Sequence, residues 1–247
     1  MRDYETFHQL HYQSTPMILA NVWNAKSAQI AESTGFKAVA TSSGAIAESL
    51  GYKDGENIPF AELLYMVQRI KASISIPLSV DMERGYTDDL ELLNKHIQQL
   101  IDSGVVGINL EDAQGEDIYL KKLNGIKNYL VKTNQQLFIN ARTDGFLQKL
   151  PSPLETTINR AKLYKEAGAD GLFVPAVQDT EIIREIVSST TLPVNVVNAS
   201  KTVSITILAN CGVKRISMAV LLYKATYKKM EMMAKEILEK ESFEPLF

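Results

Sequence analysis

The stretch PLSVDMERGYTDDLELLNKHIQQLIDSGVVGINLED, residues 77–112, decides the fold. It begins with a short apolar run (77–80) and continues through a polar loop into a segment with helical spacing of its apolar residues (88–103). Gly104 follows that segment, where a left-handed cap commonly ends a helix, and a second apolar run (107–110) comes next. The stretch therefore predicts a strand, a helix and a second, parallel strand.

The same strand–helix unit recurs along the whole chain. The predicted strands cover residues 17–22, 38–41, 77–80, 107–110, 138–141, 171–174, 193–197 and 215–218. The predicted helices cover residues 25–33, 60–72, 88–103, 119–133, 154–167, 180–188, 203–210 and 220–239. Eight strands in strict alternation with helices imply parallel pairing, and eight such strands close into a barrel. We predict an α/β fold, a (β/α)8 TIM barrel, with residues 1–247 as a single domain.

Two alternatives concern the architecture. An open doubly wound sheet is disfavoured because no GxGxxG follows the first strand and no Walker A loop is present. The long last helix, 220–239, carries Met and Tyr positions that suit either of two arrangements. It docks on or exchanges with a neighbouring subunit, or it packs on its own barrel.

Composition limits the class of protein. The chain has 247 residues, 26 Lys and Arg against 29 Asp and Glu, and a formal net charge of −3. This balance argues against nucleic-acid binding, which needs clustered basic residues, and no apolar run reaches the roughly 20 residues that span a bilayer. The first residues do not resemble a signal peptide, and the single cysteine, Cys211, leaves no disulfide framework. We expect a cytoplasmic protein with no nucleic-acid or membrane partner.

Acidic residues follow three successive predicted strands. Asp81 and Glu83 come after the third strand, on one face of an extended segment, and Glu111 ends the fourth. Catalytic groups of a TIM barrel lie at this end of the strands. Crowded carboxylates without nearby His or Cys favour Mg²⁺, or Mn²⁺, over zinc. Arg142, after the fifth strand, is suited to grip a substrate carboxylate.

Helix capping and surface ion pairs are the alternative explanation for these acids. We prefer it for Asp88 and Asp117, because each stands where a helix is predicted to begin. For Asp81, Glu83 and Glu111 we prefer the metal site, because capping would require a coincidence at each strand end.

Four segments resemble the isocitrate lyase/phosphoenolpyruvate mutase superfamily: TSSGA (41–45), VDMERGY (80–86), GINLED (107–112) and NARTD (140–144). The resemblance implies a (β/α)8 barrel, usually oligomeric, that binds Mg²⁺ and a 2-oxo acid or its enolate. It gives Asp81 the role of principal metal-site aspartate. Glu83 stands where many members have Asp, and Glu111 matches the metal-site glutamate, which acts partly through bound water.

The resemblance also implies a substrate site. Ser43, Gly44 and Ala45 match the segment that holds the substrate's carboxylate and oxo oxygen, and Arg142 faces the variable end of the substrate. Asp54 matches a loop aspartate near the reacting carbon. We therefore expect Asp54, Arg142 and Glu111 to be catalytic residues. Asn195, on the seventh predicted strand, completes the expected substrate-binding set with Ser43, Gly44, Ala45 and Arg142.

The loop after the fourth strand departs from the specialised branches. Residues 113–123 lack the cysteine and histidine of isocitrate and methylisocitrate lyases, and Cys211 is predicted at the opposite face of the barrel. Lys121, Lys122 and Asn124 only loosely imitate the phosphonate-binding pattern of the mutases, and we interpret both lysines as solvated helix residues. We expect residues 113–127 and the segment around Asp54 to be mobile and to close over the substrate.

This combination resembles the short members labelled carboxyvinyl-carboxyphosphonate phosphorylmutase-like. It implies a Mg²⁺-dependent lyase, hydrolase or decarboxylase that acts on a small 2-oxo or 2-hydroxy acid, in a homo-oligomer (dimer or tetramer). One alternative is a P–C bond enzyme, either a phosphoenolpyruvate mutase or a phosphonopyruvate hydrolase. A further alternative is a barrel that binds an oxo acid without catalysis. A sugar-phosphate enzyme is disfavoured, because strands 7 and 8 lead into no glycine-rich phosphate loop.

Overall fold

The strands form a closed parallel barrel in a computed structural model that describes residues 2–197 and 203–247. Each strand pairs with the next along the chain, and the last pairs with the first. This confirms the TIM-barrel prediction. The strands are β1 Met17–Val22, β2 Val39–Thr41, β3 Leu78–Asp81, β4 Gly107–Glu111, β5 Phe138–Arg142, β6 Gly171–Val174, β7 Val194–Val197 and β8 Arg215–Ser217.

Helices surround the barrel in the predicted alternation, with two additions. They are α1 Arg2–Leu10, α2 Ala25–Ser33, α3 Ser43–Ser49, α4 Phe60–Lys71, α5 Leu90–Asp102, α6 Glu116–Thr133, α7 Pro153–Glu166, α8 Thr180–Ser189, α9 Ile205–Asn210 and α10 Leu221–Lys240, before a short 3-10 turn at Glu244–Leu246. The additions, α1 and α3, are short helices that the sequence pattern did not predict. None of the helices within the described residues combines the length and the apolar character of a membrane span.

Two details near the fourth strand correct the sequence predictions. Helix α6 begins at Glu116, three residues before the predicted start at residue 119, and it includes most of the segment 113–127, whose mobility stays a prediction. Asp117 lies in its first turn, as predicted. Asp88, however, does not cap α5, because Asp89 is the N-cap and accepts a hydrogen bond from the backbone N–H of Leu92 at 2.8 Å.

The barrel strands alternate between two environments. Outward residues such as Leu78 and Ile108 belong to the large apolar cluster that includes the buried residues of the surrounding helices. Inward residues at the amino-terminal end, including Leu19 and Phe138, pack around Phe7 of α1, which plugs the barrel. A Cβ atom at Gly107 would lie 2.8 Å from the Phe7 ring, so the plug requires glycine there.

The middle of the barrel is polar. Arg215 at the start of β8 is fully buried, and its Nη2 donates to Asn109 Oδ1 on β4, the opposite strand, at 3.1 Å. Asn140 Nδ2 donates to the same oxygen at 2.9 Å. Ser217 donates to Asn195 Oδ1 at 3.0 Å. This layer separates the apolar plug from the carboxyl-terminal ends of the strands, where the polar character continues.

Candidate active site

A cavity of about 280 Å³ opens at the carboxyl-terminal ends of the strands. Its apolar wall includes Leu147, Phe173 and Val220. The polar residues and the glycine that line it are Asn21, Ser42, Ser43, Gly44, Asp54, Asp81, Asn109, Arg142 and Ser217. The cavity therefore lies where a TIM barrel places its active site.

The structure brings part of the predicted set to this cavity. Ser43, Gly44, Asp54, Asp81 and Arg142 line it directly. The carboxylates of Glu83 and Glu111 lie beside these residues, as described below. Ala45 is buried in the first turn of α3, and its backbone N–H donates to Ser42 Oγ at 3.3 Å. Asn195 is fully buried below the cavity, against Ser217.

Asp81 has one satisfied and one unsatisfied carboxylate oxygen. Oδ2 accepts a hydrogen bond from Ser43 Oγ at 2.9 Å, and the backbone N–H of Asp81 donates to Thr41 Oγ1 at 2.8 Å. Oδ1 is buried and has no hydrogen-bond partner among the described residues. A buried carboxylate oxygen is costly unless a donor or a cation satisfies it. Asp81 thus has a free ligand atom for a cation.

Glu83 and Glu111 are held close to each other and to Asp81. The backbone N–H of Glu111 donates to the Glu83 carbonyl at 2.8 Å, and the Tyr86 hydroxyl donates to the Glu83 carboxylate at 2.9 Å. Glu83 has a left-handed φ of 48°, a backbone conformation that is costly for a residue with a Cβ. This strained backbone lies at the segment that brings the Glu83 carboxylate toward Asp81.

Burial and crowding disfavour the negative charge of both glutamates. Burial, followed by the charge of Asp81, raises the pKa of Glu83 to about 7. Burial raises the pKa of Glu111 to about 8, since the opposing effect of Arg142 is smaller and Asp81 adds to the shift. A bound divalent cation would stabilise the ionised forms.

The three carboxylates alone do not form a complete metal-coordination site. Among the described residues, no group of three or more His, Cys, Asp and Glu side chains is close enough to hold a metal ion unaided. Mg²⁺ usually takes only one or two protein carboxylates and keeps several waters. The unsatisfied Asp81 oxygen beside two further acids therefore fits Mg²⁺ with water or substrate oxygens in its remaining positions.

Arg142 lies between two carboxylates at the end of β5. Its Nη1 is 2.7 Å from a Glu111 oxygen, and its Nε and Nη2 donate to the two oxygens of Asp144 at 2.7 and 3.0 Å. Burial disfavours the guanidinium charge, but Glu111 and Asp144 outweigh it and raise the pKa of Arg142. Its position at the cavity edge gives the site a permanently charged fork for an anionic group.

Hydrogen bonds and an ion pair hold the loop that carries Asp54 at the cavity. The Asp54 carboxylate lies against Gly44, where a Cβ atom would come within 2.8 Å of Oδ2. Glu56 accepts hydrogen bonds from the backbone N–H groups of Arg84 at 2.9 Å and Tyr86 at 2.8 Å, and it pairs with the Arg84 guanidinium at 3.0 Å. These contacts place Asp54 at the cavity mouth.

Lys122 corrects the interpretation of both loop lysines as solvated. It is only 3% exposed, and its Nζ donates to the Arg84 carbonyl and to Gln114 Oε1, each at 2.8 Å, while Asp88 Oδ1 lies 2.7 Å away. Lys121 is exposed, as expected. Lys122 therefore joins the loops that follow β3 and β4.

A buried network around Asp112 was missed by the sequence analysis. Asp112 Oδ2 accepts hydrogen bonds from Arg160 Nη1 at 2.7 Å and from the Tyr164 hydroxyl at 2.6 Å. Its Oδ1 accepts one from the backbone N–H of Asp144 at 2.8 Å. The only signal in the sequence is that Arg160 and Tyr164 are four residues apart, on one face of α7. The network therefore fixes the backbone at Asp144, whose carboxylate pairs with Arg142.

Cys211 is placed away from the cavity, as predicted, and so are His11 and His96. Cys211 is buried and caps the carboxyl-terminal end of α9, ahead of β8. His11 stacks on Phe138 at the barrel floor, and His96 stacks on Phe60. The sequence after β7 predicts no glycine-rich phosphate loop, and residues 198–200 of that segment lie outside the described residues.

Comparison with known proteins identifies relatives that span most of the chain. An uncharacterised protein of Mycobacterium tuberculosis is 32% identical over 221 residues, covering 89% of this chain and 84% of the relative. An oxaloacetate decarboxylase of Rhodopseudomonas palustris is 31% identical over 198 residues, covering 75% of this chain and 67% of the relative. The crystal structure of a Burkholderia cenocepacia protein, provisionally named a phosphonomutase, matches with a TM-score of 0.89 at 33% identity, covering 95% of this chain and 98% of the other.

A family assignment follows from the sequence match. Residues 7–238, nearly the whole chain, match the sequence model described as phosphoenolpyruvate phosphomutase. The resemblance carried by the four strand-end motifs is thereby confirmed. The chain belongs to the phosphoenolpyruvate phosphomutase family, within the isocitrate lyase/phosphoenolpyruvate mutase superfamily.

Proposed function

We propose that the protein is a Mg²⁺-dependent enzyme that cleaves a C–C bond in a small 2-oxo or 2-hydroxy acid by way of an enolate. Membership in a superfamily of lyases and mutases supports an enzyme. The observation that carries the metal-dependent part is the unsatisfied, buried Oδ1 of Asp81 beside two glutamates whose pKa values are raised. Mg²⁺ bound there would polarise the 2-oxo oxygen of a substrate and stabilise the enolate.

Each site residue has a task in this proposal. Asp81, Glu83 and Glu111 would hold the metal, directly or through bound water. Ser43 donates to Asp81 Oδ2, so its hydroxyl orients the carboxylate that faces the metal. The backbone N–H groups at the start of α3, around Gly44, offer donors to a substrate carboxylate.

Arg142 and Asp54 act at the other end of the substrate. Arg142 pairs with the distal carboxylate of the substrate, and this new ion pair replaces part of its contact with Glu111. Asp54 covers the cavity mouth next to Gly44, where it excludes water and can exchange a proton with the reacting carbon.

Charge favours a dicarboxylate over a phosphonate. Among the described residues that line the cavity, Arg142 is the one cationic side chain. Lys122 is committed to Asp88, Gln114 and the Arg84 carbonyl, so it is not available for a phosphonate. A phosphonate carrying nearly two negative charges needs more neutralisation than Mg²⁺ and one arginine supply once water is excluded.

The alternative is P–C bond chemistry. It is favoured by the family match itself and by the phosphonomutase name of the Burkholderia cenocepacia protein. P–C chemistry would require a further cation at the substrate. Since Lys122 is committed, the candidate in the same segment is Lys121, which is exposed.

A substrate panel tests the proposal. The protein is incubated with Mg²⁺ and oxaloacetate, 2-methylisocitrate, isocitrate, 2,3-dimethylmalate, phosphonopyruvate or phosphoenolpyruvate. Release of pyruvate, glyoxylate, oxalate or phosphate is measured, and phosphonopyruvate and phosphoenolpyruvate are themselves quantified, because a mutase interconverts them without releasing a fragment. The Asp81→Asn protein serves as the inactive control. We expect turnover of one of the four acids that contain no phosphorus, and we expect EDTA to abolish that turnover. Turnover of phosphonopyruvate alone would overturn the C–C assignment, and turnover unaffected by EDTA would overturn the metal site.

A further inference from the structure

Four buried asparagines at or below the cavity, Asn21, Asn109, Asn140 and Asn195, differ in which of their side-chain atoms form hydrogen bonds. Asn21 is fully engaged, because its Nδ2 donates to the Thr41 carbonyl at 2.9 Å and its Oδ1 accepts from the backbone N–H of Met218 at 2.8 Å. Asn195 is fully buried beneath Ser217. Asn195 and Asn109 both use only the amide oxygen, but of these two only Asn109 lines the cavity.

The orientation of the Asn109 amide is fixed from below. Its Oδ1 accepts from Arg215 Nη2 at 3.1 Å and from Asn140 Nδ2 at 2.9 Å. A flipped amide would turn its own N–H groups toward these two donors and lose both hydrogen bonds. Arg215 is fully buried, lies over the Phe7 ring and interacts electrostatically with Asp81, and among the described residues Asn109 Oδ1 is the acceptor of its hydrogen bond.

The free end of the amide faces the cavity. Asn109 is 4% exposed and lines the cavity, and its Nδ2 donates to no acceptor among the described residues. Asn109 is paired with Asp81 across the β3–β4 ladder and lies two residues before Glu111 on the same side of β4. An N–H donor is therefore presented between the residues of the proposed metal site.

We propose that Asn109 is a substrate-binding residue whose Nδ2 donates a hydrogen bond to a carboxylate oxygen of the bound oxo acid. This assignment rests on the proposed function. A carboxylate is the matching group because hydrogen bonding to the buried Arg215 draws electron density toward Oδ1 and strengthens the Nδ2–H donor. Arg215 and Asn140 act as positioning residues that keep the donor aimed upward.

The Asn109→Asp substitution separates the two ends of the side chain. A carboxylate keeps an oxygen for Arg215 and Asn140, so the barrel should stay folded, but it replaces the upward donor with a negative acceptor. Asn109→Ala removes the donor without adding charge. Asn128→Asp, at an exposed position on α6, adds the same charge away from the site and is the matched control.

Oxalate is the probe, and its affinity is measured by titration calorimetry with saturating Mg²⁺. Relative to wild type, we expect oxalate to bind about tenfold more weakly to Asn109→Ala and about a hundredfold more weakly to Asn109→Asp. Asn128→Asp should bind within about twofold of wild type. Mg²⁺ affinity measured without oxalate should not weaken in either Asn109 variant. This measurement is the folding control, because a general loss of structure would weaken Mg²⁺ binding as well.

The outcomes separate this assignment from the proposed function. If the wild-type protein binds oxalate and Asn109→Asp binds it with the same affinity, the role of Asn109 is overturned and the proposed function stands. If Asn109→Ala does not fold, Asn109→Asp decides alone. If wild-type protein binds neither oxalate nor pyruvate with Mg²⁺, the proposed function fails and this assignment fails with it.

Discussion

The Nζ of Lys122 lies 2.7 Å from Asp88 Oδ1, an ion pair that joins the loop after β3 to helix α6. The same nitrogen donates to the carbonyl of Arg84, the residue after Glu83. The position of the Glu83 carboxylate thus depends on a buried lysine from a different strand–helix unit. This contact ties the proposed metal site to the packing of the outer helix.

Replacing Lys122 should lower stability, whereas replacing its neighbour should not. In Lys122→Ala the Arg84 carbonyl and Gln114 lose their donor, which should cost about 1–3 kcal/mol of unfolding free energy. Lys121→Ala, at an exposed position, should change it by less than about 0.5 kcal/mol. Urea unfolding of both variants measures the difference. Equal losses would contradict the structural role, and a large loss of turnover in Lys121→Ala alone would favour P–C chemistry.

Asp81→Asn should remove metal binding without loss of the fold. The amide keeps an oxygen for Ser43 Oγ, and the negative charge that raises the pKa values of Glu83 and Glu111 disappears. At pH 8 the metal-free variant should therefore be at least as stable as wild type, while Mg²⁺ no longer raises its Tm. Asp102→Asn, at an exposed position, is the control and should keep the Mg²⁺ effect. A variant that unfolds would show that Asp81 is structural.

The stability of the metal-free protein should fall as the pH rises. Both glutamates have a folded-state pKa above the usual 4.5, about 7 for Glu83 and about 8 for Glu111, because burial disfavours their charge. Their contribution to stability is fully present below pH 4.5 and is lost as the pH passes through 7 and 8. Thermal unfolding in EDTA at several values between roughly pH 6 and pH 9 measures this loss.

Mg²⁺ should reverse that trend, because it binds the ionised carboxylates. The rise in Tm on adding Mg²⁺ should grow over the same interval. A Mg²⁺ effect that is independent of pH would mean that neither glutamate faces the ion.

The barrel could be predicted because its outward residues repeat regularly. Runs such as 77–80 and 107–110 place apolar side chains against the helices, and glycine ends the preceding helix at residue 104. Helix α1 was not predicted, because the polar sequence RDYETFHQL gives no sign that Phe7 plugs the barrel. Only the closed barrel supplies that apolar contact.

The site residues divide in the same way. Asp81 and Arg142 could be predicted, because strand ends converge in any parallel barrel. The burial of Lys122 could not, because its partners Asp88 and Arg84 lie 34 and 38 positions earlier in the chain. The orientation of Asn109 could not be predicted either, because it is set by Arg215, from the opposite strand.

Helix α10 should form the interface of a homo-oligomer. Among its residues only Tyr223 is buried, while Met232 is 60% and Leu238 is 81% exposed. Burying these exposed apolar side chains against a second copy removes apolar area from water. Sedimentation equilibrium should show a dimer or tetramer, which Met232→Glu with Leu238→Glu dissociates and Lys132→Glu, at an exposed position on α6, leaves intact. A monomeric wild type would contradict this expectation.

Asp112→Ala should be the most damaging of these substitutions. Arg160 would lose its 2.7 Å carboxylate partner and the buried Tyr164 hydroxyl its acceptor, and breaking a buried ion pair by removing one partner costs about 3–5 kcal/mol. Glu116→Ala is the matched control, because Glu116 lies 3.5 Å from the same arginine but is 39% exposed, and its loss should cost at most about 1 kcal/mol. Asp112 also accepts from the backbone N–H of Asp144, the partner of Arg142, so any Asp112→Ala protein that folds should bind oxalate more weakly. Comparable unfolding free energies in urea for the two variants would show that the buried pair contributes no more than the exposed one.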